Sequence, residues 1–216
     1  MSGIRGGCEE AKAGRNRLRP SARGPFRLAL AAVLLLGPPS RARAGELTGQ
    51  VTTAGGHPVR EAVIFVDQIR TGPSAGRRLM DQRNRTFIPH VMAVQLGTRV
   101  EFPNHDTVFH NVFSYREGKR FDLGLYPVGT MRVVSFDQSG LVRIFCNIHS
   151  NMSAFIWVLE NPYFAVTDRS GRFRIADVPS GERVVRIWHE GLGTRRLSVS
   201  VPREGAVPLE IALGSR

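Results

Sequence analysis

From residue 45 onward the sequence runs in short alternating or β-branched segments, and helical periodicity is hard to find. The segments that read as strands are ELTGQVTT, EAVIFVDQ, HVMAVQL, TRVEFPN, HNVFS, RVVSFD, LVRIFC, AFIWVLE, RFRIADV, RVVRIWHE, RLSVSVP and LEIAL. Between them stand TAGGHP, DQSG, DRSG and VPSG, rich in residues that tolerate or preset turn dihedrals. Leu197, Val199 and Val201 alternate with Ser198 and Ser200, the mark of a sheet with one face on a core and one in water. The expected fold class is therefore all-β. A length of 216 residues, 42% of them hydrophobic and 22% charged, provides for one or two ordinary globular domains.

The first 44 residues differ from the rest. They carry nine Arg or Lys against Glu9 and Glu10, then the apolar run LALAAVLLLG, then RARA. A basic segment, a short apolar core and small residues at Ala42 and Ala44 predict a secretory signal over 1–44, cleaved after Ala44, and hence a periplasmic location. The apolar run is short for a bilayer span, which needs about 20 residues; an uncleaved N-terminal anchor is the alternative. Seven of the twelve net positive charges belong to this segment, so the remaining chain carries +5. Its Arg residues are scattered and form no basic block interleaved with aromatics, which argues against nucleic acid as a partner.

Removal of that segment takes Cys8 with it and leaves Cys146 alone in an exported chain, where no intramolecular disulfide can form. Cys146 opens a stretch, CNIHSNM, that also holds His149 and Met152. A thiolate and two imidazoles in a trigonal plane, with a weak axial thioether, are the donor set of a blue-copper centre. The loop supplies three of these four groups, so a second histidine must come from another strand. His110, at the start of HNVFS, is the candidate, with His105 in FPNHD as its competitor. Asn111, next to His110, is placed to bridge the two ligand segments by hydrogen bonds and so to orient the donors. A core cysteine beside two ordinary loop residues is the alternative. His57, His90 and His189 read as a turn residue, a strand-entrance residue and a neighbour of Trp188, outside any metal site.

The segments FPNHDTVFHNVFS, FDLGLYPVGT, VSFDQSGLVRIFCNIHSNM and IWVLENP resemble a plastocyanin- or amicyanin-type cupredoxin, and the short gap between His149 and Met152 is similar to the ligand loop of amicyanins. Two further segments, GQVTTAGGHPVREAVIFV and VTDRSGRFRIADVPSGERVVRIW, resemble the halves of a carboxypeptidase-regulatory-like sandwich. Gly49, Val51, Pro58, Ala62, Ile64 and Val66 carry the first half; Thr167, Asp168, Gly171, Phe173, Ile175, Pro179 and Gly181 carry the second. Together the mature chain is similar to exported cupredoxin-like proteins often named methylamine utilization proteins. The resemblance implies a Greek-key cupredoxin β-sandwich plus a smaller Ig-like sandwich, one copper ion, and Phe145 as the aromatic residue before the ligand cysteine. The expected domains are 46–69 with 163–214 as one discontinuous sandwich and 70–162 as a cupredoxin inserted in it; two sequential domains are the alternative.

Four protein donors would leave no open coordination position, and no nucleophile elbow, paired His-Glu zinc motif or phosphate-binding glycine loop occurs, so an enzyme is not expected. The leading function is one-electron transfer through a Cu(II)/Cu(I) couple. The competing class is a copper-holding or partner-binding envelope module. Because His149 sits in the ligand loop, its ring edge is expected at the surface, with Ile148 adding apolar contact for docking. The expected partners are a c-type cytochrome or a periplasmic dehydrogenase, bound weakly and transiently.

Overall fold

A computed structural model describes residues 44–115 and 118–214; the predicted signal over 1–44 lies outside the described residues except for Ala44. The described residues form strands β1 (Ala44–Thr53), β2 (Val63–Val66), β3 (Arg77–Leu79), β4 (Asp81–Arg83), β5 (Thr86–Ile88), β6 (Val91–Gln95), β7 (Arg99–Pro103), β8 (His110–Ser114), β9 (Phe121–Tyr126), β10 (Met131–Ser135), β11 (Gly140–Phe145), β12 (Ser153–Leu159), β13 (Phe164–Val166), β14 (Arg172–Pro179), β15 (Gly181–His189), β16 (Gly193–Val201) and β17 (Ala206–Leu213). The protein is all-β, a multi-sheet β-sandwich, and among the described residues no helix is long and apolar enough to cross a membrane.

Two pairs of sheets each close on a core. In one, the sheet β14-β1-β17 faces the sheet β13-β2-β15-β16 across Leu47, Val51, Ile64, Phe173, Ile187 and Ile211. In the other, the five-stranded sheet β6-β12-β11-β8-β9 faces β10-β7-β3 across Phe87, Phe102, Val112, Phe136, Ile144 and Ile156. A third apolar cluster, Val63, Phe65, Val91, Ala93, Phe155 and Trp188, joins the outer faces of β2 and β15 to those of β6 and β12. This explains the unbroken apolar run VIFV in β2. Its Ile64 and Val66 enter one core while Val63 and Phe65 enter the joining cluster, so neither face meets water and no alternation is needed. By contrast β16 keeps Val199 and Val201 inward and Ser198 and Ser200 exposed, the pattern of a sheet wet on one side.

Strands β1 and β2 pair with strands that follow them by more than ninety residues. β1 runs parallel to β17, and at Gly49 a Cβ would stand 1.9 Å from the Leu209 carbonyl oxygen, so close approach demands glycine there. At Gly171, φ is +73° and a Cβ would lie 2.4 Å from the Val51 carbonyl oxygen, which accounts for the glycine of TDRSG. The buried Thr167 hydroxyl donates to Val59 O and accepts from Ala62 N, both at 2.8 Å, tying the 59–62 turn to the strand that returns after residue 163. Asn161 does the same at the crossing, donating to Val66 O and Ile69 O and accepting from Tyr163 N, all at 2.9 Å.

Strands β3, β4, β5, β9 and β13 have no counterpart in the sequence reading, and the reasons are local. β3, β4 and β5 are three residues each, too short to show a period. The β4–β5 hairpin turns on Asn84 and Arg85, at φ +50° and +56°, a two-residue loop with both residues left-handed but no glycine to announce it. β9 carries Gly124 at φ +64° within FDLGLY, and one register shift against β8.

Thr167→Val removes one hydroxyl of nearly the same shape and leaves Val59 O and Ala62 N without their buried partner. It is expected to cost about 2–3 kcal/mol and to lower the melting temperature by about 5–10 °C. A melting temperature unchanged in a thermal scan would contradict the role given to this hydroxyl.

Candidate metal centre

The site lies at one end of the five-stranded sheet, where β8 begins and β11 ends. The loop before β8 is organised by Asn104, whose fully buried side chain donates to Val108 O at 2.9 Å and to Tyr126 O, and accepts from the Asp106 amide at 3.1 Å. Its backbone donates to Thr130 O and accepts from Gly129 N, each at 2.8 Å. The loop therefore cannot fray although it carries no regular structure, and it delivers His110 to the first position of β8.

His110 is fully buried, with Nε2 2.9 Å from Asp106 Oδ2 and Nδ1 3.9 Å from Cys146 Sγ. Cys146 follows directly on β11 and is 5% exposed. Its amide donates to Met152 O at 3.1 Å, and the Met152 amide donates to His149 O at 3.0 Å, closing a tight loop between β11 and β12. Within that loop His149 turns its Nδ1 to within 3.6 Å of Cys146 Sγ, and its ring meets His110 edge to face at 4.9 Å between centroids. One ligand atom from each of His110, Cys146 and His149 lies within 4.8 Å of the others. Met152 is buried in the same core as Cys146.

Thiolate and imidazole bonds of about 2.3 and 2.0 Å to a first-row divalent ion, set about 120° apart, place sulfur and nitrogen about 3.7 Å from each other. The observed 3.6 and 3.9 Å match that spacing without movement of the chain, so the residues fit a metal ion.

The electrostatics suit the same end. Burial first, then the His110 ring and the Arg85 side chain, hold His149 below the usual imidazole range against an opposing pull from Asp106; its neutral ring offers a lone pair. Burial would by itself raise the Asp106 carboxyl, but the amides of Arg85 and Thr107 and the His110 ring outweigh it, and the group stays ionised well below the usual carboxylate range. Tyr126, opposite His110 in the β8–β9 register, has its phenol pushed up to about 12 by burial and is neutral.

Asn111 is 1% exposed; its Oδ1 accepts from Asn147 N at 3.4 Å and its Nδ2 donates to Asp122 Oδ1 at 2.7 Å, so it links β8, the cysteine loop and β9. Phe145 packs its ring on Phe113 and Tyr115, at 5.8 and 5.5 Å between centroids, on the outer face of the sheet. Ile148 is 50% exposed beside the part-buried His149. His105 stands apart, its Nδ1 2.9 Å from Asp81 Oδ1. His90 lies against Ser153 O and Glu190, and His189 caps the amides of Gly191 and Leu192. Asn104 and Asp106 escaped the sequence reading; the polar pair two residues apart ahead of a strand was the available signal.

No protein-family model and no curated protein matches this chain. Among solved structures it is similar to a purple cupredoxin from Nitrosopumilus maritimus, with 22% identity over 38% of this chain and 98% of that one and a TM-score of 0.34. It is also similar to a proline-to-glycine mutant of amicyanin in the reduced Cu(I) form at pH 4, with 15% identity, 44% and 97% coverage and a TM-score of 0.36. A copper-containing nitrite reductase from Thermus scotoductus matches with 21% identity over 52% of this chain and 28% of that one, at a TM-score of 0.37.

Asn111→Ala removes the acceptor of the Asn147 amide and the donor to Asp122. Hydrogen exchange at the Asn147 amide is expected to speed about tenfold, the loss of roughly one hydrogen bond. Unchanged exchange would show that Asn111 does not hold the cysteine loop.

Proposed function

We propose that this protein is a periplasmic type 1 copper protein of the cupredoxin kind that carries single electrons between redox partners. His110, Cys146, His149 and Met152 are the residues that would hold the ion. The observation that carries this reading is the convergence of one thiol sulfur and two imidazole nitrogens, from two separate segments, within 4.8 Å. A bound copper ion would supply a one-electron couple, Cu(II) taking up one electron from a donor to give Cu(I) and returning it to an acceptor. The chain holds the donors rigid through Asn104, Asn111 and the Cys146–Met152 hydrogen bond, so that little rearrangement accompanies the change of charge.

Residues 70–162 form the copper-bearing domain on this reading, inserted into a second sandwich of 46–69 and 163–214. The pairing of β1 and β2 with β13, β14, β15 and β17 supports that division. His110, Cys146 and Met152 are sealed at 5% exposure or less, whereas His149 is part-exposed and its neighbour Ile148 is exposed. That gradient favours docking and electron exit at His149 and Ile148, for a c-type cytochrome or a periplasmic dehydrogenase that associates weakly.

Copper loading of the purified protein is expected to give one intense visible thiolate-to-Cu(II) band that bleaches on reduction and is absent from Cys146→Ala. A colourless loaded protein, or a band that survives in Cys146→Ala, would overturn the assignment. A band without a reversible one-electron wave in voltammetry would favour a copper-holding module over a carrier.

Met152→Gln replaces a soft, neutral sulfur by a harder oxygen donor and is expected to keep the band while lowering the midpoint potential on the order of 100 mV. Met92, in the core, and Met131, 45% exposed, serve as comparison sites where Gln should leave the potential in place. A midpoint moved at Met92 or Met131 instead of Met152 would show that the wrong sulfur has been named.

A further inference from the structure

We infer that Asp106 is a positioning residue that acts through His110 to fix its tautomer and to bias the copper couple toward the oxidised state; this rests on the copper reading above. An ionised carboxylate only accepts hydrogen bonds, so Asp106 Oδ2, 2.9 Å from His110 Nε2, requires the proton on Nε2. The other nitrogen, Nδ1, is then the one with a lone pair, and it is the nitrogen that faces Cys146 Sγ. Without this partner a fully buried ring could carry its proton on either nitrogen, and one of the two forms cannot bind metal through Nδ1.

The carboxylate is itself immobilised. Oδ2 also accepts from the Arg85 amide at 2.6 Å, Oδ1 accepts from the Thr107 amide at 2.7 Å, and the Asp106 amide donates to Asn104 Oδ1. The Arg85 contact comes from the β4–β5 turn, where Arg85 takes φ +56° although it is not glycine. Arg85, twenty-one positions upstream, thus holds the group that holds His110.

Its charge has one destination. Among the described residues the ion-pair partner of Asp106 is His110, both buried, whereas Asp81 on the same hairpin is paired with Arg83 and His105. A buried anion that no Arg or Lys neutralises is compensated by positive charge at the site it faces. Hydrogen bonded to a ligand ring, its negative charge stabilises the more highly charged ion. An electron added to a bound Cu(II) would enter against this fixed charge, so Asp106 lowers the potential.

The test is voltammetry on copper-loaded full-length protein carrying Asp106→Asn, with Asp81→Asn as the matched carboxylate that does not touch His110. Asp106→Asn is expected to keep the visible band and to shift the couple at least tenfold toward Cu(I), a rise of 59 mV or more for one electron. Asp81→Asn is expected to shift it less than that. A visible band with a midpoint unmoved in Asp106→Asn, or moved equally in Asp81→Asn, overturns the role of Asp106 and leaves the copper reading standing. A wild-type protein with no band overturns the copper reading itself. If Asp106→Asn does not fold or load, nitrogen-15 NMR of the wild-type Cu(I) protein decides: a slowly exchanging Nε2–H on His110 supports the assignment, and a proton on Nδ1 overturns it.

Discussion

The centre depends on where the β11–β12 ladder stops. The antiparallel register runs from Gly140↔Val158 to Phe145↔Ser153, and the hydrogen bond from Cys146 N to Met152 O carries it one residue further. Only 147–151 are left to form a loop, and the Met152 amide bonded to His149 O draws that loop tight. With both ends on neighbouring strands of one sheet, the thiol and the imidazole of one loop have little freedom to separate. The remaining donor must come from β8, which Asn104 and Asn111 lock to the same end of the sheet. A slip of one residue in β11 would move the Cys146 side chain to the opposite face and dissolve the cluster.

Burial and charge then divide the labour between the two histidines. His110 is sealed and tied to a carboxylate, so it belongs to the rigid, electron-rich side of the site. His149 is part-exposed and held below the usual imidazole range by burial, the His110 ring and the Arg85 side chain, and on the proposed reading it is the ring through which the interior and the surface communicate. The joining cluster of Val63, Phe65, Val91, Phe155 and Trp188 braces the back of β12, the strand that follows the loop. The strands before residue 67 and after residue 163 thereby stiffen a site to which they contribute no donor.

Much of this was legible in the residues. Alternation in RLSVSV, the apolar run of VIFV and the turn chemistry of TDRSG each have a direct physical counterpart in β16, β2 and the β13–β14 turn. The spacing of Cys146, His149 and Met152 marks a donor-rich loop, because all three sit within seven residues. The sequence also names His110, 36 residues upstream, as the second imidazole, although its approach to Cys146 depends on strand order and not on spacing. The supports of that ring were hidden. Asn104 and Asp106 look like ordinary turn residues until the Arg85 amide arrives from a hairpin whose Asn-Arg turn lacks the glycine that would announce it.

X-ray absorption of the copper-loaded protein at the metal edge counts donors by element and distance, and so tests the thiolate and imidazole assignment. One sulfur scatterer at short range with two imidazole nitrogens is expected, with loss of that sulfur in Cys146→Ser. A shell of nitrogen and oxygen alone in the wild type, with no short sulfur, would contradict the assignment.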